Sequence, residues 1–317
     1  MIKVKNVTKK YGNFIAVEDI NFQIEEGEII GLLGPNGAGK STTMNMITGY
    51  IEPSEGEIII GGHDILKNPN KAKAQIGYMP EGVPLYQDLT VKEFVSYMAD
   101  LKKVSKTEKK EKVQETLEKT NLVEVSNKLI KNISRGYKQR VSLAGALVTN
   151  PKILILDEPT VGLDPKQITE IRELIKSLEG KHTIILSSHI LSEVSQICKK
   201  VIIINKGKIV AIDTPQNLEN KTNQGNIIKL IIEDPNSKII ELAKTINGIK
   251  QIDFVKDNED GTKEYKIICD EKIDIRREIF GKCAKEQMTI FELKKSEATL
   301  EDAFMKLIEN KKEEEKD

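Results

Sequence analysis

A glycine-rich segment near the start of the sequence has the spacing of a phosphate-binding loop. Residues 34–41 read GPNGAGKS and fit the pattern G-x-x-x-x-G-K-[ST], between the apolar run EIIGLL and the helical pattern TTMNMITGY. Gly37 and Gly39 let the backbone curl so that successive N–H groups face phosphate oxygens at the positive end of a helix. Lys40 would then reach the β and γ phosphates, and Ser41 would be a ligand for Mg²⁺. The alternative, a glycine-rich turn that binds nothing, leaves the flanking strand and helix patterns unexplained.

The predicted phosphate-binding residues are Gly34, Pro35, Asn36, Gly37, Ala38, Gly39, Lys40, Ser41 and Thr42.

Two acidic residues follow a short apolar run later in the chain. The segment ILILDEP predicts a buried strand that delivers Asp157 to its carboxyl end, with Glu158 immediately after it. Asp157 is suited to hold Mg²⁺ through water, which leaves Glu158 to orient or deprotonate the water that attacks the terminal phosphate. A pair of solvated acids at a strand end is the alternative. With the phosphate loop, the pair predicts hydrolysis of a nucleoside triphosphate.

The order of these motifs resembles that of the ATP-binding-cassette (ABC) ATPases. The phosphate loop, ILILDEP, the following TVGLDP and the run SSH ending at His189 match the family's series over the first two-thirds of the chain. The more specific element is ISRGYKQR at 133–140, which is similar to the family signature LSGGQ followed by x-Q-R. The resemblance implies an α/β P-loop NTPase fold with a helical subdomain, the cofactors ATP and Mg²⁺, and ATP hydrolysis. It also implies a dimer, in which Ser134 and Gly136 of one subunit bind the γ phosphate held by the opposite phosphate loop.

The same resemblance assigns roles to side chains elsewhere. His189 corresponds to a switch residue beside the γ phosphate and its water, and is predicted to be catalytic together with Glu158. Tyr11, in KKYGNFIAV, corresponds to an aromatic ring that stacks on adenine, and Asp164 to a loop at the dimer interface. Each of the three has a plainer interpretation. His189 could be a structural histidine, Tyr11 an aromatic residue of the core or sheet edge, and Asp164 a turn residue.

The sequence departs from the family pattern at three positions. Arg135 and Tyr137 replace a glycine and a glutamine of the signature, but the serine, the second glycine and the QR pair remain, so contact between the helix N-terminus and phosphate is expected to survive. In YMPE, Glu81 stands where the family has a lid glutamine. A carboxylate can still coordinate Mg²⁺, so Glu81 is a candidate metal ligand beside Ser41 and Asp157. The Y-x-P-E form is usual in the exporter-type branch and marks a subtype.

Strand and helix patterns divide the chain into two domains. Over residues 1–220, short β-branched runs alternate with helical patterns, as in a sheet with crossover helices, and residues from about 82 to 150 are mainly helical. Over 221–310 the order is strand, helix, strand, strand, helix, strand, which predicts a small α+β ferredoxin-like domain. A last helix is predicted to begin near Thr299, and residues 311–317 are predicted to be a disordered tail.

Charge balance and apolar runs limit what the chain can bind or cross. Lys plus Arg and Asp plus Glu both number 49, so no broad basic surface for nucleic acid or an anionic bilayer is expected. The longest apolar runs fall far below the roughly 18 residues that a membrane span needs, and the N-terminal segment has no secretory signal pattern. The chain is therefore expected at the cytoplasmic face of the cell membrane, held there by a partner. Its 3 cysteines lack C-x-x-C spacing, which favours buried, reduced thiols.

These observations predict the ATP-hydrolysing subunit of an ABC transporter. Its expected partners are separate membrane-spanning permease subunits and a second ATPase subunit, in a homodimer or a heterodimer. The segment ATLEDAFMKL resembles the endings of exporter ATPases of the sodium, drug and gliding-motility type, which favours export.

Two alternatives belong to other classes. An ABC-type ATPase acting on ribosomes or DNA typically has two cassettes or a long heptad coiled coil, and neither pattern occurs in this sequence. A regulatory protein that binds ATP without turnover would not need the intact pair of acids and His189. The sequence leaves open the transported substrate, the permease and the role of the C-terminal domain.

Overall fold

The computed structural model describes residues 1–82, 85–222, 226–234, 236–270 and 274–296. The chain divides into two compact units, Met1–Pro215 and Gln216–Asp317. The predicted last helix near Thr299 and the predicted tail at 311–317 lie outside the described residues.

The strands of the first unit are, in chain order, β1 (Ile2–Tyr11), β2 (Phe14–Ile24), β3 (Ile29–Leu33), β4 (Glu55–Ile60), β5 (His63–Asp64), β6 (Ile76–Met79), β7 (Ile153–Leu156), β8 (Thr183–Ser188), β9 (Lys200–Asn205) and β10 (Lys208–Asp213). Its helices are α1 (Lys40–Ile47), α2 (Pro69–Lys73), α3 (Val91–Leu101), α4 (Lys106–Lys119), α5 (Arg135–Leu147), α6 (Pro165–Ser177) and α7 (Leu191–Ser195); α8 (Pro215–Thr222) begins at the boundary between the units.

A mainly parallel sheet carries the predicted site. Its strand order is β10-β9-β3-β8-β7-β6, and every neighbouring pair is parallel except β9 with β10. Every residue of β3, β7 and β8 is buried, which is why their sequences are continuous apolar runs without alternation. Because β3, β7 and β8 are parallel neighbours, the loops at their carboxyl ends meet at one edge of the sheet.

A second, antiparallel sheet has the order β2-β1-β4-β5. Burial along β2 alternates over residues 20–24, as expected when one face of a sheet packs on a core. The two sheets of the first unit share one hydrophobic core, to which Ile2 and Ile58 contribute from the antiparallel sheet and Ile155 and Ile202 from the parallel one.

Helices α3, α4 and α5 lie between β6 and β7 in the chain, in the region predicted to be helical. They enclose a core of their own that includes Val91, Phe94, Leu117 and Val141. Helix α3 begins with a capping box, in which the Thr90 side chain accepts from the Glu93 backbone and the Glu93 side chain accepts from Thr90. Such a cap fixes where the helix begins, since it satisfies backbone N–H groups that have no partner within the helix.

After α8, the described part of the second unit forms an antiparallel sheet with two helices. Its elements are β11 (Asn226–Ile232), α9 (Lys238–Ala243), β12 (Ile249–Asp257), β13 (Lys263–Cys269), α10 (Arg276–Lys285) and β14 (Ile290–Ser296). The strand order is β12-β13-β11-β14, with all neighbouring pairs antiparallel. Its core includes Ile228, Tyr265, Ile279 and Cys283.

No helix in the described ranges is long and apolar enough to span a membrane.

Candidate active site

The phosphate-loop motif connects β3 to α1. Gly39 stands at the N-terminal end of α1 with a φ of 106°, a conformation that L side chains rarely adopt. A Cβ atom on Gly39 would lie 2.9 Å from the carbonyl oxygen of Ala16, so this position has no room for a side chain. The backbone therefore turns sharply into α1, as the motif requires, and leaves the helix N-terminus accessible to an anion.

Lys40 is held over the loop by oxygens of its own chain. Its side chain is buried, and Nζ donates to the carbonyl oxygens of Gly34 at 2.8 Å and Pro35 at 3.3 Å. Nζ also lies 3.7 Å from Oε1 of Glu158. The ammonium is thus fixed beside the one carboxylate that the sequence predicts to be catalytic.

The acidic pair is positioned by β8. Ser187 Oγ donates to Asp157 Oδ1 at 2.5 Å and accepts the backbone N–H of Glu158 at 2.8 Å. Asp157 and Glu158 are both buried, and Glu158 has a φ of 48°, unusual for a residue other than glycine. The arrangement turns the two consecutive carboxylates to different neighbours: Asp157 to Ser187, and Glu158 to Lys40 and His189. Ser187 is not among the site residues predicted from the sequence.

His189 contacts the carboxylate of Glu158. Its Nδ1 lies 3.0 Å from Oε2 of Glu158, and the His189 side chain is 41% exposed. An ionised carboxylate only accepts hydrogen bonds, so Nδ1 carries the hydrogen and Nε2 remains available to a ligand. The structure thus brings together Lys40, Glu158 and His189, the three side chains that were predicted to act on the terminal phosphate.

These groups open into a cavity of about 370 Å³. Its lining comprises Phe14, Ala16, Pro35, Asn36, Gly37, Gly39, Lys40, Ser41, Thr42, Glu81, Glu158, Val161 and His189. Most of the predicted site residues are in this set. Phe14, Ala16 and Val161 were not predicted, because no pattern in the sequence relates the strand β2 or residue 161 to the phosphate loop.

Tyr11 is not part of this lining, whereas its neighbour Phe14 is. The two residues face each other across the turn between β1 and β2. The ammonium of Lys9 lies 5.1 Å from the centre of the Tyr11 ring, and the Phe14 side chain is 66% exposed. The Tyr11 side chain is 49% exposed, so both rings are accessible, but only Phe14 lines the cavity.

The signature segment forms the start of α5. Ser134 is the N-cap residue, whose side chain accepts the backbone N–H of Tyr137 at 3.4 Å. Gly136 is buried, and a Cβ there would lie 2.8 Å from the side chain of Gln167. Neither Ser134 nor Gly136 lines the cavity of its own chain.

Asp164 begins α6. Its carboxylate accepts the backbone N–H of Gln167 at 2.9 Å, and Pro165 follows at the first helical position. This contact accounts for an aspartate here by helix capping alone, and its predicted role at a dimer interface stays a prediction.

The donor set fits a magnesium ion shared with a nucleotide. No group of three or more His, Cys, Asp or Glu side chains in the described ranges is arranged to hold a metal. Mg²⁺ typically takes one or two protein carboxylates or hydroxyls and completes its shell with phosphate oxygens and water. Ser41 and Glu81 line the cavity, whereas Asp157 is outside that lining and accepts a hydrogen bond from Ser187 through Oδ1.

The charge of Asp157 is felt by a neighbouring tyrosine. Burial, followed by the negative charge of Asp157, raises the pKa of Tyr78 to about 12. The Tyr78 hydroxyl donates to Asn45 on α1 at 3.3 Å. Tyr78 is therefore a neutral hydrogen-bonding group between β6 and α1.

A phosphate loop between a parallel strand and a helix, with an acidic pair after another strand of the same sheet, defines a P-loop nucleoside triphosphatase. Residues 17–161 match the family model described as ABC transporter. The linearmycin resistance ATP-binding protein LnrL of Bacillus subtilis (strain 168) is 36% identical, over 80% of this chain and 81% of its own length. The bacitracin transport ATP-binding protein BcrA of Bacillus licheniformis is 39% identical, over 76% of this chain and 78% of its own.

Solved structures agree. The ATP-binding cassette MJ0796, in a dimeric post-hydrolysis state bound to ADP and Pi, is 30% identical with a TM-score of 0.61, over 68% of this chain and 98% of its own. The chain belongs to the ABC transporter ATP-binding proteins: it is an ATPase that binds ATP and serves a transporter. The predictions of family, ABC-ATPase fold and ATPase activity are confirmed, and the roles of single site residues stay predictions.

Proposed function

We propose that this chain is the ATPase subunit of an exporter, that two copies close around two Mg-ATP, and that it is peripheral at the cytoplasmic face of the membrane through separate membrane-spanning subunits. The observation that carries the proposal is the contact of Glu158 with both Lys40 and His189 at the cavity that follows the phosphate loop. A protein that only bound ATP would need Lys40, but it would have no use for a buried carboxylate oriented by a histidine.

In the proposed mechanism, each group has one task. The backbone N–H groups of residues 36–42 and Lys40 bind the phosphates. Glu158 orients the attacking water and accepts its proton, and His189, whose Nδ1 is engaged by Glu158, presents Nε2 to the γ phosphate. A magnesium ion held by Ser41, Asp157 and Glu81 would neutralise charge on the β and γ phosphates.

The signature supports a two-subunit site. Ser134 is exposed at the N-terminus of α5, where an anion is stabilised by the helix dipole, yet it does not line the cavity of its own chain. A second copy is therefore the source of a phosphate for Ser134 and Gly136, and the partner's Ser134 and Gly136 would complete this chain's site. The two MJ0796 cassette structures are both described as dimeric, which supports the same arrangement.

Relatives and a surface feature support export through a membrane partner. LnrL and BcrA are named for resistance to linearmycin and transport of bacitracin. A surface cavity of about 430 Å³ next to the start of α3 is lined by Tyr86 and Tyr97, whose rings meet edge to face at 5.4 Å. Tyr86 is 53% exposed and follows Glu81 by five residues. We assign this aromatic surface to a cytoplasmic segment of the membrane partner, because it is close in sequence to Glu81, which lines the ATP cavity.

We assign adenine binding to the turn between β1 and β2. Tyr11 is the predicted stacking residue, and Phe14 shares that turn and lines the cavity, so Phe14 is a second candidate for the contact.

The C-terminal unit is proposed to be a ferredoxin-like domain. Its order β12-β13-β11-β14, with α9 and α10 as the two crossovers, supports that classification.

Steady-state ATP hydrolysis with Mg²⁺, and molecular size in ATP, test the proposal in the wild type, Glu158→Gln and Glu115→Gln. Glu158→Gln should hydrolyse ATP about 10²–10⁴ times more slowly and accumulate as an ATP-bound dimer. Glu115→Gln makes the same chemical change on the exposed face of α4 and should match the wild type. Wild-type turnover by Glu158→Gln would show that Glu158 is not the base, and a monomer in ATP would exclude the two-subunit site.

A further inference from the structure

Arg135 lies flat against the loop that follows the catalytic glutamate. It is the first residue of α5, immediately after Ser134, and its side chain is exposed. A Cβ atom on Gly162 would lie 2.3 Å from Cζ of Arg135 and within 2.5 Å of both terminal nitrogens. The planar guanidinium is therefore stacked on the backbone of Gly162. The φ of Gly162 is 69°, so glycine is favoured there and leaves the space that the guanidinium fills.

This contact is part of a wider attachment between α5 and the segment 159–170. Gln139 Nε2 donates to the carbonyl oxygen of Pro159 at 3.0 Å, and Arg140 forms an ion pair with Glu170 at 2.5 Å. The two side chains fix the outer parts of the segment. Arg135 contacts this segment at Gly162, which lies between Glu158 and the helix cap Asp164.

We propose that Arg135 is a positioning residue that couples the two nucleotide sites of the dimer. The inference rests on the proposed function, in which Ser134 of a subunit contacts the partner's nucleotide while Glu158 serves the subunit's own. Arg135 is joined to Ser134 through the backbone and touches Gly162, four residues after Glu158. Movement of the α5 N-terminus onto the partner's phosphate is therefore passed through the stacked guanidinium to the loop that holds Glu158 in place.

The stack, rather than the charge, carries this role. A guanidinium is planar and packs on a peptide plane, whereas a lysine ammonium is a compact point charge on a flexible stem. Arg135→Lys keeps the charge and removes the stack, so it separates coupling from direct binding of phosphate by Arg135. Arg172→Lys on α6 is the matched control, since the side chain of Arg172 donates hydrogen bonds to the side chains of Thr169 and Gln196.

The test measures hydrolysis rate against ATP concentration for the full chain and for Arg135→Lys, Arg135→Ala and Arg172→Lys. Arg135→Lys and Arg135→Ala should both lower kcat about tenfold, with KM changed by less than about twofold and the Hill coefficient reduced toward one. Arg172→Lys should behave as the wild type. Because Arg135 is exposed, the thermal midpoints of all variants should coincide.

A second measurement uses the Glu158→Gln background. Adding Arg135→Ala there should leave ATP-dependent dimerisation intact, because ATP binding by the signature does not depend on the Arg135 side chain in the coupling role. Wild-type kcat and cooperativity in Arg135→Lys would overturn the coupling role. Loss of ATP-dependent dimerisation on adding Arg135→Ala would overturn it in favour of a direct phosphate contact. A wild type that does not hydrolyse ATP would instead overturn the proposed function, and the inference with it.

Discussion

The hydroxyl of Ser187 connects the two consecutive acids of the site. It donates to Asp157 Oδ1 at 2.5 Å and accepts the backbone N–H of Glu158 at 2.8 Å, and Ser187 itself is fully buried. A single oxygen therefore fixes the rotamer of Asp157 and the backbone direction of Glu158. Because β7 and β8 are parallel neighbours, this contact also ties the acidic pair to the strand that carries His189.

Replacement of Ser187 by alanine should damage both stability and catalysis. Loss of the hydroxyl leaves a buried N–H and a buried carboxylate oxygen without that partner, at a cost of about 1–3 kcal/mol in the free energy of unfolding. We expect kcat to fall about tenfold with little change in KM. Ser188→Ala removes the hydroxyl that accepts the Ile190 N–H at 3.0 Å and that makes no hydrogen bond to either acid in the described part of the chain, so it should spare kcat. Equal kcat losses in the two variants would contradict the role of Ser187.

The backbone conformation at Gly39 should be indispensable for ATP binding. Gly39→Ala places a methyl group 2.9 Å from the Ala16 carbonyl oxygen at a φ of 106°, so the loop must shift. We expect ATP affinity to fall at least about tenfold, measured by calorimetry. Gly180→Ala is the control, because Gly180 also has a positive φ, 76°, but has no atom within 4 Å of an added Cβ. Both variants should lose about 1–2 kcal/mol in the free energy of unfolding. Only Gly39→Ala should have a lower affinity for ATP.

His182 should make the first unit less stable in mild acid. Burial lowers the pKa of His182, whose Nδ1 lies 2.6 Å from the Pro151 carbonyl oxygen. A depressed folded-state pKa means that the unfolded chain binds the proton first, so this stabilisation is present above the ordinary pKa of about 6.5 and is lost as pH falls below it. Urea unfolding at pH 7.5 and 5.5 should show a smaller loss in His182→Gln than in the wild type. Equal losses of stability between pH 7.5 and 5.5 in both proteins would exclude this role of His182.

The three thiols should be unreactive in the folded protein. Cys198, Cys269 and Cys283 are all buried and in no disulfide, and burial raises the pKa of each thiol, that of Cys283 to about 11. The thiolate is the reactive form, so labelling with a disulfide reagent at pH 8 should be slow. Full labelling should follow addition of denaturant. Fast labelling of one thiol in the native protein would show that its surroundings open readily.

The phosphate loop and the acidic pair could be predicted because their chemistry depends on residues close in sequence. GPNGAGKS and ILILDEP each contain the strand end and the reactive groups together. Ser187 was missed because its role depends on β8 lying beside β7, and two adjacent serines after an apolar run have no distinctive spacing. Asp164 shows the reverse: D-P at a helix start is a capping signal that explains the residue without an interface.

Phe14 could not be predicted for a similar reason. Its position depends on how the β1–β2 hairpin packs against α1, and no local pattern encodes that packing. The sequence also could not predict the strand order β10-β9-β3-β8-β7-β6, because continuous apolar runs indicate burial but not which strands are neighbours.

The ammonium of Lys40 has acceptors of its own in Gly34, Pro35 and Glu158. A phosphate oxygen that binds there replaces these partners, so the gain is a difference between two sets of contacts rather than the full strength of one. In the proposed mechanism, the same three acceptors are again available to the Lys40 ammonium when the phosphate leaves. We therefore expect the proposed site to bind nucleotide less tightly than the lysine–phosphate contact alone would suggest, which suits a cycle in which product has to leave before ATP binds again.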